Sequence, residues 1–174
     1  MEVISLTKVS VIMGSDSDLK IMQDCLAALE KFDIAYEVLI SSAHRLPDET
    51  AEIAKGAAAR GINVIIAGAG MAAHLAGVIA ALTPLPVIAV PLSGSALSGV
   101  DALYAMVQMP RGIPVATVAV DGAFNAGVLA AQIIGVGDAA VQEKLVAYKN
   151  ELAAQVKKKN KKLQEVGYRR YLEG

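Results

Sequence analysis

From Lys8 to Met13 the chain is apolar and rich in β-branched residues, and it breaks at Gly14-Ser15-Asp16-Ser17-Asp18. Beyond that turn Leu19, Met22, Cys25, Leu26, Leu29 and Phe32 recur at helical spacing, with Ser15 or Ser17 as cap and Asp18 in the first turn. A second strand spans Tyr36 to Ser41 and ends at Ser41-Ser42-Ala43-His44-Arg45. Pro47 fits a first helical position, Asp48, Glu49 and Glu52 favour the positive end, and Arg60-Gly61 closes that helix. A third strand starts at Asn63 and runs into Gly68-Ala69-Gly70. The helix after it, about Ala72 to Ala81, is apolar all round and should be covered on every side.

Further strands are expected at Pro86–Val90 and Pro114–Val120, with helices near Asp101–Val107 and Asn125–Ile134. Asp138 to about Glu165 reads as one more, polar helix with Leu145, Tyr148, Leu152 and Val156 on one side. Strands alternating with helices predict an α/β fold: a parallel sheet of about five strands, helices on both faces, right-handed crossovers and an additional C-terminal helix. The whole chain, 1–174, reads as one domain, with an α/β core over 8–135 and a helix and tail over 138–174.

Composition supports this architecture. The chain is 55% hydrophobic but only 4% aromatic, so its apolar content is Ala, Val, Ile and Leu, which suits parallel strands covered by small-residue helices. Between Gly61 and Pro110 the only charged residue is Asp101. Ile62 to Leu82 is long enough to cross a bilayer, yet it holds three glycines and a histidine and begins as a strand, so no membrane span is expected. Met1-Glu2 and the mixed segment after it do not read as a secretory leader. The lone Cys25 excludes an intrachain disulfide and fits a cytoplasmic location.

A net charge of −1 attracts no nucleic acid. Charge is nonetheless uneven: residues 143–174 hold 9 basic and 4 acidic groups. The Lys157–Lys162 run is read as a solvated helix end, where cations are favourable, rather than as a polyanion site.

Candidate chemistry lies in three loops beyond the strands' carboxyl ends: Gly14–Asp18, Ser41–Arg45 and Gly68–His74. Serine- and glycine-rich turns feeding helix N-termini offer N–H groups to an anion, and Arg45 adds a guanidinium suited to phosphate. A phosphorylated small molecule is the expected ligand. Gly68-Ala69-Gly70-Met71-Ala72-Ala73 also fits a dinucleotide fingerprint, but no Asp or Glu occurs between Glu52 and Asp101 to hold a ribose. His44 and His74 are the only histidines. Either alone is most simply a structural imidazole; two in loops at one sheet edge point to proton transfer near neutrality. No carboxylate or thiol stands at ligand spacing from either, so no metal is expected. No G-x-S-x-G elbow marks a nucleophilic serine.

Gly14-Ser15-Asp16-Ser17-Asp18, Ser42-Ala43-His44-Arg45, Ile66-Ala67-Gly68-Ala69-Gly70, Ala72-Ala73-His74-Leu75, Ala96-Leu97-Ser98-Gly99 and Val107-Gln108-Met109-Pro110 occur in this order. Over about residues 8–135 the chain thereby resembles the class I N(5)-carboxyaminoimidazole ribonucleotide mutases, the phosphoribosylaminoimidazole carboxylase catalytic subunit family of purine biosynthesis. The resemblance implies a flavodoxin-like three-layer α/β/α sandwich, homo-octamers of fourfold dihedral symmetry, and a reaction without metal or organic cofactor. A phosphoribosyl imidazole is the implied substrate. Its carboxylate moves from the exocyclic amine to ring carbon 4, by decarboxylation and recarboxylation with carbon dioxide held in the site.

The same resemblance makes His44 the general acid and base and gives Ser15, Asp18 and Arg45 to nucleotide binding. Arg45 and the serines, Ser17 and Ser42 included, suit phosphate, while Asp18 suits ribose hydroxyls. His74, with Leu75 and the backbone near Ala69 and Gly70, lines the carboxylate pocket. Three departures stand out: Met71 in place of a third glycine, Ala76 in place of proline, and a short segment over 120–125. The neighbouring readings are a direct aminoimidazole ribonucleotide carboxylase, which shares the fold, and a nucleotide-binding paralogue without catalysis.

Overall fold

The computed structural model describes residues 8–94 and 96–173. The reading of Met1-Glu2 as lacking a secretory leader falls outside those residues. The elements run β1 (Val9–Met13), α1 (Leu19–Lys31), β2 (Tyr36–Ile40), α2 (Pro47–Gly56), β3 (Val64–Gly70), α3 (Leu75–Leu82), β4 (Val87–Leu92), α4 (Val100–Val107), β5 (Ala116–Thr117), α5 (Ala123–Gly135) and α6 (Ala139–Leu172). Single turns of 3-10 helix precede α1 at Asp16–Asp18 and follow α2 at Ala58–Arg60.

The strands form one parallel sheet in the order β2-β1-β3-β4-β5. Alternation along the central strands divides the interior in two. Val9, Val11, Met13, Val64, Ile66, Ile88 and Val90 face a core shared with α1 and α5. Ile12, Ile65, Ala67, Val87 and Ala89 face the opposite core, with residues of α2, α3 and α4. A sheet with apolar residues on both faces must be sandwiched, and here it is.

Tight crossings depend on missing side chains. A Cβ on Gly127 of α5 would lie 2.7 Å from the Cys25 carbonyl oxygen and 2.6 Å from Ala28 Cβ of α1. The two helices therefore meet nearly backbone to backbone. Cys25 is fully buried in that contact, and desolvation pushes its thiol up to about 12.

Several predicted boundaries shift. β5 pairs over two residues, not the seven expected from Pro114 to Val120. It lies at the sheet edge, where Pro114 has no N–H to donate. β4 continues through Pro91 to Leu92 rather than stopping at Val90. The Pro91 carbonyl accepts from Asp121 N–H on the side of β5, so the missing proline N–H faces a stretch where that ladder has already ended. α3 begins at Leu75, with His74 as its N-cap residue. Within one chain it is covered on one side only: Leu75, Ala76 and Ile79 are buried, Val78 and Ala80 are half-buried, and Ala81 is exposed.

α6 extends past the expected Glu165 to Leu172, with a break in helical geometry at Gly167. Asp138 caps it by accepting from Val141 N–H, and the Lys8 ammonium 2.6 Å away, with that capping hydrogen bond, lowers the carboxyl's pKa from its ordinary value. Leu145 and Tyr148 pack on the core, whereas Val156 is exposed, so the apolar side of α6 outruns the body it covers. The Ile62–Leu82 stretch is divided between β3 and α3, and among the described residues no helix is long and apolar enough to cross a membrane.

Candidate active site

The carboxyl ends of β1, β2, β3 and β4 open into one cavity of ≈ 640 Å³. Ser15, Ser17, Asp18, Ser42, His44, Arg45, Ala69, Gly70 and Leu75 all line it. His74 stands at its edge, bound to His44. The residues expected from the three loops thus converge although they lie far apart in the chain.

The loop after β1 is organised by its own acids. Asp18 accepts a 3.0 Å hydrogen bond from Ser15 N–H, and Asp16 accepts from Ser15 Oγ and Ser17 N–H. Burial raises the Asp18 carboxyl above its ordinary value, against the backbone hydrogen bonds of Ser15 and Gly14, which lower it; the Asp16 charge adds to the rise. This leaves a partly desolvated acceptor beside two serine hydroxyls, Ser17 Oγ donating to Ser15 Oγ and Ser15 Oγ to Asp16.

The loop after β2 turns back on itself. Ser42 C=O accepts from the N–H groups of Arg45 and Leu46, and Thr50 Oγ1, inside α2, donates to Leu46 C=O. Buried Ser41 shares a 2.7 Å hydrogen bond with Thr50 Oγ1, which ties the loop's entry to the helix that follows. Arg45 reaches over to donate from Nη2 to Gly14 C=O at 3.1 Å, so its guanidinium bridges the ends of β2 and β1.

β3 supplies the third wall. β1 ends opposite Gly68, so Ala69 and Gly70 overhang it and pair only with Pro91 and Leu92 of β4. Their β1 side opens to the cavity. A Cβ on Gly70 would lie 3.2 Å from Leu92 C=O, which explains a glycine at that crossing. Met71 follows with φ of 56°, in the left-handed region, and is 63% exposed at the rim. Ala73 N–H and His74 N–H then close tight turns onto Met71 and Ala72 carbonyls, and α3 starts.

The two histidines meet across these walls. His44 Nε2 lies 3.0 Å from His74 Nδ1, with the rings edge to face at 84°. One nitrogen donates and the other accepts, so the tautomer of each ring constrains its partner. The arrangement offers a proton-transfer pair next to a cation and a set of hydroxyl and carboxylate groups. Among the described residues no three His, Cys, Asp or Glu side chains come together as metal ligands would.

Sequence reasoning did not single out Ile21, Leu92 or Gly94, which also line the cavity. Leu92 was hidden by the proline before it, which reads as the end of a strand. Ile21, in the first turns of α1, is half-buried and also packs against the core that α1 covers, so in sequence it reads as one more core position.

Known proteins are similar to this chain over most of its length. The AIR carboxylase family matches residues 8–155. The N5-carboxyaminoimidazole ribonucleotide mutase of Pyrococcus horikoshii is 54% identical over 94% of this chain and 93% of its own. The enzyme of the same name from Thermotoga maritima is 51% identical, covering 96% and 98%. The phosphoribosylaminoimidazole carboxylase of Candida glabrata is 51% identical, but the matched region is only 29% of that longer protein. The crystal structure of Treponema denticola PurE superposes with a TM-score of 0.81 at 29% identity, covering 89% of this chain and 97% of that one.

Proposed function

The chain belongs to the AIR carboxylase family, and on that premise we propose how its cavity divides the work of the reaction it catalyses. It is an N5-carboxyaminoimidazole ribonucleotide mutase of purine biosynthesis, turning the N-carboxylated nucleotide into its 4-carboxy isomer. The near full-length match to mutases supports this reading over the carboxylases, which align through less than a third of their length.

The observation that carries the residue assignment is the 3.0 Å contact between His44 and His74 at the cavity edge. Arg45 and the hydroxyls of Ser15, Ser17 and Ser42 take the phosphate, and the Asp18 carboxylate takes ribose hydroxyls. The imidazole then lies toward Ala69, Gly70 and Leu75. The carbamate N–C bond breaks, its electron pair stays on the exocyclic nitrogen, and protonated His44 delivers a proton there. Ring carbon 4 attacks the released carbon dioxide, forming the C–C bond, and His44 recovers the proton that carbon 4 loses. Substrate and product balance, and His44 ends as it began. His74 is a positioning residue: by engaging Nε2 it fixes the His44 ring and leaves Nδ1 for the reacting atoms. The apolar β3–β4 wall keeps water from the carbon dioxide.

We further propose that the protein works in the cytoplasm and as a homo-octamer. Apolar residues left open on α4, Leu97, Val100, Tyr104 and Val107 in and before that helix, support assembly, as does the part-covered α3.

His44→Asn tests the assignment. Turnover should fall by about 10²- to 10⁴-fold, the worth of general acid–base catalysis, with nucleotide affinity close to that of the unaltered protein. Retained turnover would remove His44 from the proton's path; loss of folding would make it a structural residue.

A further inference from the structure

Four non-glycine residues among those described adopt positive φ: Asp33, Met71, Ser98 and Asp121. Aspartate tolerates that region better than most residues, and each aspartate here has a local reason to be there. Asp33 pairs with Lys144, and Asp121 Oδ1 accepts from Ser93 N–H at 2.9 Å. Met71 is the apolar member of the set, and its side chain is 63% exposed. A large unbranched side chain there strains the backbone and gains little burial in return, where glycine would be strain-free. Whatever it contributes belongs to a state other than the empty chain.

Its position says which state. The sheet order places the polar loops of β2 and β1 at one side of the cavity and the ends of β3 and β4 at the other. Met71 rises from the rim of that second, apolar side, between Gly70 and Ala72, both of which line the cavity. It stands three residues before His74, the partner of His44. Methionine is flexible enough to fold onto ligands of uneven shape. We propose that Met71 is a swinging apolar cover that folds onto the bound nucleotide and retains carbon dioxide between cleavage of the N–C bond and formation of the C–C bond.

The inference rests on the mutase reading. Its consequence is a partition: carbon dioxide either reacts at carbon 4 or escapes, leaving aminoimidazole ribonucleotide with the proton on its amine. Two full-length variants separate the side chain from the backbone. Met71→Gly removes cover and strain together; Met71→Leu keeps an apolar cover under similar strain.

Each protein is given the N-carboxylated nucleotide in buffer equilibrated with ¹³C-labelled carbon dioxide. The measured quantities are label entering the 4-carboxy product and the amount of decarboxylated nucleotide. The unaltered protein and Met71→Leu should incorporate little label; Met71→Gly should incorporate several-fold more and melt at the same or a higher temperature. Equal incorporation in Met71→Gly and the unaltered protein overturns the proposal. Closure is read separately by peroxide oxidation of Met71 followed by mass spectrometry, since an exposed thioether oxidises readily. Bound 4-carboxy nucleotide should slow that oxidation several-fold, and an unchanged rate contradicts the cover. If the unaltered protein made no product while its nucleotide still protected Met71, the mutase reading would fall and the cover would stand.

Discussion

At the scale of residues, the site was legible as types and places but not as distances. Serines, an aspartate, an arginine and two histidines in loops at strand ends come together at one cavity, and their types are what the proposed anion binding and proton transfer rest on. Nothing in the spacing shows that His44 and His74 touch. They follow β2 and β3, which flank β1, so their strands lie about 9–10 Å apart at ordinary strand spacing. The 3.0 Å contact arises because both loops lean over the end of β1. Asp18 shows the same limit: its place in the loop was visible, its partial burial was not. Because burial raises its pKa, Asp18 takes up its proton at a higher pH than an exposed aspartate. The anionic acceptor is lost as pH falls through that raised value, so binding of the 4-carboxy nucleotide should weaken on acidification earlier than an exposed aspartate would dictate. Titration calorimetry across pH checks this, with Asp18→Asn expected to flatten that part of the profile. For folding the sign is opposite: the native state holds that proton more tightly, so ionising Asp18 costs stability as pH rises above the unfolded-state value.

At the scale of elements, the sequence pattern located the five strands and six α-helices described but not the 3-10 turn at Asp16–Asp18, and the other errors lie at ends and in coverage. Pro91 reads as a stop because its effect depends on which way its missing N–H points, and that depends on a neighbouring strand ending first. α3 is apolar all round, which predicts burial but not by what; one chain covers one side of it. The α1–α5 crossing was invisible, since a glycine within a helical pattern does not say what approaches it. Gly127→Ala should destabilise the fold by about 1–3 kcal/mol, because its Cβ would meet a backbone carbonyl that cannot rotate away. A urea titration should show a lower midpoint. Gly68→Ala also places a Cβ 2.5 Å from a neighbour, but that neighbour is the flexible Met22 thioether, so the smaller loss is expected there.

At the scale of the whole molecule, one chain leaves apolar surface on α3, on α4 and along the outer half of α6. Sedimentation should therefore find an assembly near eight times the 18.0 kDa chain mass, and Tyr104→Glu on the open face of α4 should shift it to smaller species. A monomer at micromolar concentration would contradict the proposed assembly. The family was readable from ordered loop motifs, whereas the cavity needed four strand ends aligned by the sheet. The central claim, that this cavity moves a carboxylate within one nucleotide, is tested most directly by supplying the purified protein with N5-carboxyaminoimidazole ribonucleotide. A parallel sample receives aminoimidazole ribonucleotide and carbon dioxide, and the 4-carboxy product is followed in both. Rapid product formation from the N-carboxylated nucleotide is the predicted result; no product from it, or product from the second mixture alone, would contradict the account.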